Sequence, residues 1–153
     1  MTALAVSSPV GTLTLGAEGA YLLRLWLPGQ TPPGLCRGST PALEAGRRAL
    51  EGFFAGEETD WRTLPLSLGG TPFQCAVWQA LGDIPRGEVR TYGEIAAAVG
   101  RPAAVRAVGS ACGRNPLPLL LPCHRVVAAH GPGGYAGGLA LKRALLELEG
   151  VRL

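Results

Sequence analysis

The first part of the chain alternates apolar and polar residues over short stretches. Residues 4–7, 11–15 and 20–27 form three such runs, separated by Ser-Pro and Glu-Gly turn signals. A period of two residues over short distances is typical of half-buried strands. The pattern predicts an antiparallel meander at the N-terminus.

The pattern then changes twice before residue 71. Residues 30–41 are rich in proline and glycine and predict a loop, whereas residues 42–54 place large apolar side chains at helical spacing. Residues 57–70 lack either period and predict a linker with Trp61 as an anchor. This half therefore combines a small sheet with one helix.

Helix signals dominate from residue 71 onward. Thr71 and Gln74 have the spacing of a capping box, and so do Thr91 and Glu94, so helices are predicted to begin at both places. A third helix is predicted over residues 103–112. Two short helices joined by a few residues around a glycine form a candidate helix-turn-helix.

The third helix has two unlike faces at 100° per residue. Val105, Val108 and Cys112 fall on the predicted inward face. The opposite, outward face carries small residues. Such a face is poor for reading base edges in the major groove but allows the close approach that a minor groove requires. An alanine-rich surface helix is the alternative. The outward set is Ala103, Arg106, Ala107, Ser110 and Arg114.

The last third of the chain carries the reactive side chains. An apolar run over residues 115–127 is interrupted by Cys123, His124 and Arg125. Residues 131–138 include five glycines around Tyr135 and predict a mobile loop.

A final helix follows over residues 139–149. Leu141, Leu145 and Leu148 are its predicted inward stripe, and Glu149 lies at the edge of that stripe. A carboxylate at this position can turn inward.

Composition narrows the class of protein. With 153 residues, 47% of them hydrophobic and 16% charged, the chain fits one compact domain or two small ones. No apolar stretch approaches the roughly 20 residues that span a bilayer, and no secretory signal is recognisable. We therefore expect no membrane association and a cytoplasmic location.

The net charge of +3 is unevenly distributed. Residues 1–82 hold five arginines and six acidic residues, whereas residues 83–153 hold nine basic and five acidic residues. The second half can therefore bind an anionic polymer, although a solvated basic face is the commoner explanation.

The four cysteines form no close pair, so a metal site is not expected and free thiols are. Cys123 followed by His124 supplies an activated thiolate, because a neighbouring imidazole lowers the pKa of a thiol. Since adjacent side chains diverge, we expect His124 to act through a water while Glu149 orients its other nitrogen.

The segment Pro122-Cys123-His124-Arg125-Val126 resembles the signature of the O6-alkylguanine-DNA alkyltransferases, the methylated-DNA–protein-cysteine methyltransferases. The resemblance extends over residues 71–150 in matching order. It includes the motifs Gly87-Glu88-Val89, Thr91-Tyr92, Arg106-Ala107-Val108-Gly109, Asn115-Pro116, Tyr135 with Gly137-Gly138-Leu139, and Glu149-Gly150.

The resemblance implies an α/β fold in two parts. Residues 1–70 would form a small ribonuclease-H-like α/β domain, and residues 71–153 a mainly helical domain with the helix-turn-helix and the active-site cysteine. It implies a monomer that acts on double-stranded DNA and needs no cofactor or metal.

The resemblance also implies a reaction. Cys123 would accept an alkyl group from O6 of guanine, or O4 of thymine, in one irreversible transfer, with His124 and Glu149 relaying its proton and Tyr92 donating to the base. The implied substrate-binding residues are Tyr92, Asn115, Val126, Tyr135, Ala136 and Gly137, and Ala136 stands where some relatives have serine.

DNA contacts follow from the same resemblance. Arg106 would fill the space left by a flipped nucleotide, and the small face with Ala103, Ala107 and Ser110 would enter the minor groove. Arg114 and Arg125 would contact phosphate, although an internal ion pair is equally open for Arg125. A lesion sensor that binds without transfer and a thiol hydrolase unrelated to DNA are the alternative functions.

Overall fold

A computed structural model describes all residues from Met1 to Leu153. The chain forms two compact units, of which the first comprises Met1–Leu68 and Pro116–Leu120 and the second Gly69–Asn115 and Leu121–Leu153. None of the helices has the length and apolar character that crossing a membrane requires.

The first unit contains a four-stranded sheet. Strands β1 (Thr2–Ser8), β2 (Gly11–Glu18) and β3 (Tyr21–Trp26) form the predicted antiparallel meander. Strand β4 (Cys36–Arg37) pairs in parallel with β1 and completes the order β3-β2-β1-β4. It falls in a predicted loop, because two residues held only by pairing carry no periodic signal.

Helix α1 (Pro41–Phe54) packs against this sheet and confirms the helix predicted from residue 42. Gly46 in its middle permits a close approach, because a Cβ there would lie 2.9 Å from side-chain atoms of both Leu15 and Leu22. A short 3₁₀ helix, Trp61–Thr63, lies within the predicted linker.

The second unit is mainly helical. Helices α2 (Pro72–Gly82) and α3 (Tyr92–Ala98) both begin with the predicted capping box. Helix α4 (Val105–Gly113) follows after a short turn. The indole nitrogen of Trp78 donates to the carbonyl of Ala111 at 2.8 Å in a buried hydrogen bond, which fixes α4 against α2.

A small parallel pairing brings distant segments together. Strand β5 (Arg90–Thr91) immediately precedes α3, and strand β6 (Val126–Val127) immediately follows a 3₁₀ helix, Cys123–Arg125. The pairing places the start of α3 beside the segment that carries the cysteine. Helix α5 (Leu139–Leu148) then closes the unit.

Two predicted apolar faces differ from the observed ones. On α4 the buried residues are Val108 and Ala111, whereas Val105 is 42% exposed, so its assignment to the inward face is wrong. A start at residue 105 leaves that valine in the first turn, where no neighbouring element covers it.

On α5 the buried side chains are Lys142, Leu145 and Leu146, whereas Leu148 is 43% exposed. The buried face of the helix is therefore rotated about the helix axis relative to the predicted one. Residues 142, 145, 146 and 149 share one face at the spacing i, i+3, i+4 and i+7.

Candidate active site

A cavity of about 170 Å³ lies beside Cys123 in the second unit. It brings together the start of α3, the end of α4, the 3₁₀ helix and the glycine-rich loop. A larger cavity of about 540 Å³ near the C-terminal residues contains no cysteine, tyrosine or histidine, so we place the candidate chemistry at the smaller one. The lining residues of the smaller cavity are Tyr92, Gly109, Cys112, Gly113, Cys123, Gly134, Tyr135 and Ala136.

Two glycines on α4 keep this cavity open. A Cβ added at Gly109 or Gly113 would meet no atom within 4 Å apart from the neighbouring backbone of its own helix. Packing within the protein therefore does not require glycine at either position. Their missing side chains leave room for a ligand to approach the backbone of α4 closely.

The thiol of Cys123 is buried, with 6% of the residue exposed. Burial raises the pKa of Cys123 to about 11, and a hydrogen bond from the side chain of Asn115 opposes this effect only in part. The expectation that His124 lowers this pKa is therefore wrong for the ligand-free protein. The resting side chain is therefore a thiol, and forming a thiolate requires the removal of its proton.

The imidazole of His124 is held by a buried carboxylate. Its Nε2 atom lies 2.9 Å from Oε2 of Glu149, and both side chains are fully buried. Burial would raise the pKa of Glu149, but hydrogen bonds from His124 and Arg125 outweigh it and hold this pKa at about 2. The carboxylate is therefore ionised and can only accept hydrogen bonds.

This acceptor fixes the tautomer of the imidazole. Burial lowers the pKa of His124 despite the nearby Glu149, so the ring is neutral at neutral pH. Because Nε2 faces an ionised carboxylate, we assign the ring proton to Nε2. Nδ1 is then the basic nitrogen, and it is the atom that can receive the proton of a neighbouring thiol.

Arg125 completes the network on the carboxylate. Its Nε and Nη2 atoms donate to the two oxygens of Glu149, each at 2.9 Å, and Nη1 donates to the carbonyl of Ile84 at 2.5 Å. The assignment of Arg125 to a DNA phosphate is wrong, because its side chain is only 6% exposed and binds inside the protein. The internal ion pair is the alternative that the structure contains.

Tyr92 faces the cavity from the first residue of α3. Its hydroxyl oxygen accepts a hydrogen bond from the backbone N–H of Gly134 at 3.2 Å, so its own proton remains available for donation. Burial raises the pKa of Tyr92, which keeps the hydroxyl protonated. Gly133 must be glycine, because φ is +73° and a Cβ would lie 2.7 Å from the Tyr92 oxygen.

The other predicted substrate-binding residues divide into two groups. Tyr135 and Ala136 line the cavity, and the hydroxyl of Tyr135 is buried without a hydrogen-bond partner. Asn115, Val126 and Gly137 do not line it. Asn115 instead donates from Nδ2 to the carbonyl of Leu121 at 2.7 Å, and its side chain also forms a hydrogen bond with Cys123.

The predicted DNA-binding residues of α4 and its flanks lie on the surface. Arg106, with the small residues around it, is exposed, and so is Arg114 beyond the end of the helix. A continuous exposed face of small side chains with a cation is therefore present at the protein surface. Its full set is Ala103, Arg106, Ala107, Ser110 and Arg114.

Two residues near the cavity escaped the sequence reasoning. Cys112 places a second thiol in its wall, and burial raises the pKa of this thiol to about 12. Lys142 is fully buried and donates to the carbonyls of Val126 and Gly134. Its seven-residue spacing from Glu149, with leucines between them, is the signal that places both on one helix face.

Comparisons with known proteins converge on one family. Residues 72–151 match the family described as 6-O-methylguanine DNA methyltransferase, DNA binding domain. A methylated-DNA–protein-cysteine methyltransferase of Mycobacterium tuberculosis is 47% identical over 148 residues, covering 94% of this chain and 89% of that protein. The constitutive enzyme of that name from Bacillus subtilis is 44% identical over 151 residues, covering 93% and 91% respectively.

The fold agrees with the same relatives. The crystal structure of Mycobacterium tuberculosis OGT in complex with DNA matches with a TM-score of 0.86 and 44% identity, covering 98% of this chain and 93% of that one. The similarity therefore includes both units and not only the segment that carries the cysteine.

Proposed function

The chain belongs to the methylated-DNA–protein-cysteine methyltransferase family, and from that premise we propose that it repairs DNA by transferring an alkyl group from O6 of guanine to its own Cys123. The observation that carries the proposal is a buried thiol in a small cavity, with a neutral imidazole beside it in the chain and a hydroxyl donor in the wall. We extend the proposal to O4 of alkylated thymine.

The transfer begins with loss of the thiol proton. His124 takes it at Nδ1, through a water, while Nε2 keeps its hydrogen bond to Glu149. The sulfur then attacks the alkyl carbon, a C–S bond forms, and the bond from that carbon to O6 breaks. The electron pair of the broken bond stays on the guanine, where the hydroxyl of Tyr92 donates a hydrogen bond and stabilises the charge.

The product limits each molecule to one reaction. A thioether at Cys123 does not hydrolyse readily, so the nucleophile is not regenerated. The protein then acts as a stoichiometric reagent, and the amount of repair equals the amount of protein.

The helices α3 and α4 supply the proposed DNA contacts as a helix-turn-helix. An alkylated guanine inside a duplex must be extruded before the sulfur can reach it, which costs a few kcal/mol. The exposed small face around Ala107 would enter the minor groove, and Arg106 would occupy the space of the extruded nucleotide. Arg114 would contact phosphate.

We further propose a division into two domains at residue 70, a ribonuclease-H-like topology for the first domain, a monomeric state and a cytoplasmic location. We also propose that Asn115, Val126 and Gly137 contribute to substrate binding, Asn115 through its hydrogen bond with Cys123.

Methyl transfer provides the direct test. The protein is incubated with duplex DNA containing O6-methylguanine, and the peptide containing Cys123 is weighed by mass spectrometry. We expect one added methyl group per molecule and none in the variant Cys123→Ala. Tight binding with the methyl group left on the DNA would instead identify a lesion sensor, and turnover of a small ester without DNA would identify a hydrolase.

The variant Arg106→Ala tests the proposed role in extrusion. We expect slower repair of duplex DNA and little change with free O6-alkylguanine base, since the free base needs no extrusion. Equal losses with both substrates would contradict the role.

A further inference from the structure

We propose that Lys142 is a positioning residue for the transfer: its buried ammonium joins the segment that carries Cys123 to the loop that lines the cavity, and it places a positive charge close to both. This inference rests on the proposed function for its biological meaning. The contacts on which it depends belong to the protein itself.

The burial of Lys142 is unusual in itself. The residue has 0% exposure, and lysine is almost never fully buried unless it is paired. No carboxylate forms an ion pair with it. The ammonium instead donates to two backbone carbonyls, Val126 at 2.5 Å and Gly134 at 2.9 Å. A buried cation without a counter-ion is costly, so a function that requires the charge is the simplest reason for its presence.

The two carbonyls belong to two chain segments, one that carries Cys123 and one that lines the cavity. Val126 lies three residues after Cys123 in β6, and Gly134 lies in the loop that lines the cavity. Gly134 is also held on its other side, because its N–H donates to Tyr92. One residue of the loop is therefore fixed between Lys142 and Tyr92, and the loop is fixed relative to Cys123.

The charge of Lys142 acts on the thiols of the cavity. Burial is the main influence on the pKa of Cys123 and raises it, whereas Lys142 acts with Asn115 to lower it. Lys142 also lowers the pKa of Cys112 and that of the neutral His124. In return, both thiols raise the pKa of Lys142, against a lowering by burial.

The other nearby cation cannot replace it. Arg125 is bound on two atoms by Glu149, so its charge is already compensated. Tyr135, whose pKa burial raises well above its ordinary value, is neutral. Lys142 is therefore the cation whose charge remains for a thiolate formed in the cavity.

Nuclear magnetic resonance of the intact protein provides the first test. Lys142 is the single lysine of the chain, so lysine labelled with ¹³C and ¹⁵N gives one side-chain signal. Electrostatic coupling is reciprocal, so Cys123→Ala should shift the titration of this signal to lower pH. A titration that is unchanged would overturn the electrostatic half of the proposal. This measurement needs no substitution at Lys142 and no DNA.

Two variants separate the charge from the hydrogen bonds. Lys142→Met keeps the length of the side chain and removes both, so the reaction of Cys123 with iodoacetamide at neutral pH should fall roughly tenfold, with its midpoint at higher pH. Lys142→Arg keeps the charge and should restore the midpoint. If Lys142→Met reacts as the wild type does, or if Lys142→Arg does not restore the midpoint, the assigned role of the charge is wrong.

Alkyl transfer then tests the hydrogen bonds. Lys142→Met should transfer a methyl group from DNA more slowly than its iodoacetamide reactivity accounts for, because Gly134 is no longer held. A transfer rate that follows thiol reactivity alone would overturn this half. Failure of the wild-type protein to demethylate DNA would refute the proposed function but leave the iodoacetamide and resonance results unaffected.

Discussion

Two buried cations, Arg125 and Lys142, belong to the unit that carries Cys123, and their partners differ. On the arginine side, Arg125 and His124 both bind the ionised Glu149, so positive and negative charge balance. On the lysine side, Lys142 meets only carbonyls, and Gly134 connects it to Tyr92. In the proposed reaction, the arginine side therefore holds a neutral base in place, whereas the lysine side keeps a charge available for the thiolate.

The largest effect should come from removing the carboxylate on the arginine side. Glu149→Gln leaves Arg125 buried without a counter-ion, so we expect a loss of about 3–5 kcal/mol in the free energy of unfolding. Transfer should also fall severely, because His124 loses the acceptor that fixes its tautomer. Urea unfolding and the methyl-transfer assay measure the two effects.

The matched control for this substitution is Glu147→Gln on the exposed face of α5. It should change the free energy of unfolding by less than about 0.5 kcal/mol. Similar losses for the two variants would mean that the buried network contributes little.

The next largest effect should come from Tyr92→Phe on the lysine side. It removes the acceptor of the Gly134 N–H and the proposed donor to the leaving guanine, so the transfer step should slow about a hundredfold. DNA binding should be retained. Single-turnover kinetics with saturating protein measure the step, and the exposed Tyr21→Phe serves as control. An unchanged rate would exclude Tyr92 from the mechanism.

Acid should affect the arginine side first. The pKa of Glu149 is lowered from 4.5 to about 2 in the folded protein, because His124 and Arg125 outweigh the effect of burial. Its contribution to stability is therefore complete above about pH 4.5 and is lost as the pH falls toward 2. Unfolding measured over this range should show a steeper loss for the wild type than for Glu149→Gln. Parallel curves would contradict the assignment.

The smallest effect should come from a substitution at Gly109, in a part of the cavity wall that contains neither Arg125 nor Lys142. Gly109→Ala adds a methyl group midway along α4, where no atom lies within 4 Å apart from the neighbouring backbone of the helix itself. The fold should gain about 0.5–1 kcal/mol from the better helix former. Alkyl transfer should nevertheless decrease, because the methyl group narrows the cavity.

The control is Gly93→Ala in α3, where the nearest other atom is 3.8 Å away and which does not line the cavity. It should stabilise the fold without slowing transfer from a free alkylguanine. If Gly109→Ala stabilises and transfers at the normal rate, the cavity is not the substrate site.

Local signals in the sequence predicted the helices of the second unit well. Both capping boxes depend only on residues three positions apart, so Thr71 and Thr91 reveal helix starts without any knowledge of the fold. The antiparallel meander also follows from a local signal, the alternation of apolar and polar residues. Strand β4 was missed because two residues gain their conformation from pairing alone.

The electrostatics of the site required the three-dimensional structure. The sequence left the role of Arg125 open, because the same residue type serves phosphate contacts and internal ion pairs. It also predicted an acidified Cys123, whereas burial and a neutral His124 give the opposite direction. Lys142 was overlooked because a lone lysine in a leucine-rich helix is ordinarily a surface residue.

The hydrogen bond between Asn115 and Leu121 has a mechanical consequence. The five residues between them, Pro116–Leu120, pack with the first unit, while the two ends belong to the second. The hydrogen bond joins the two ends of this five-residue segment. A displacement of residues 116–120 is therefore opposed by this hydrogen bond at Leu121 before it reaches Cys123, two residues further along. Mutations that destabilise the first unit should therefore lower its stability well before they change the position of the Cys123 sulfur.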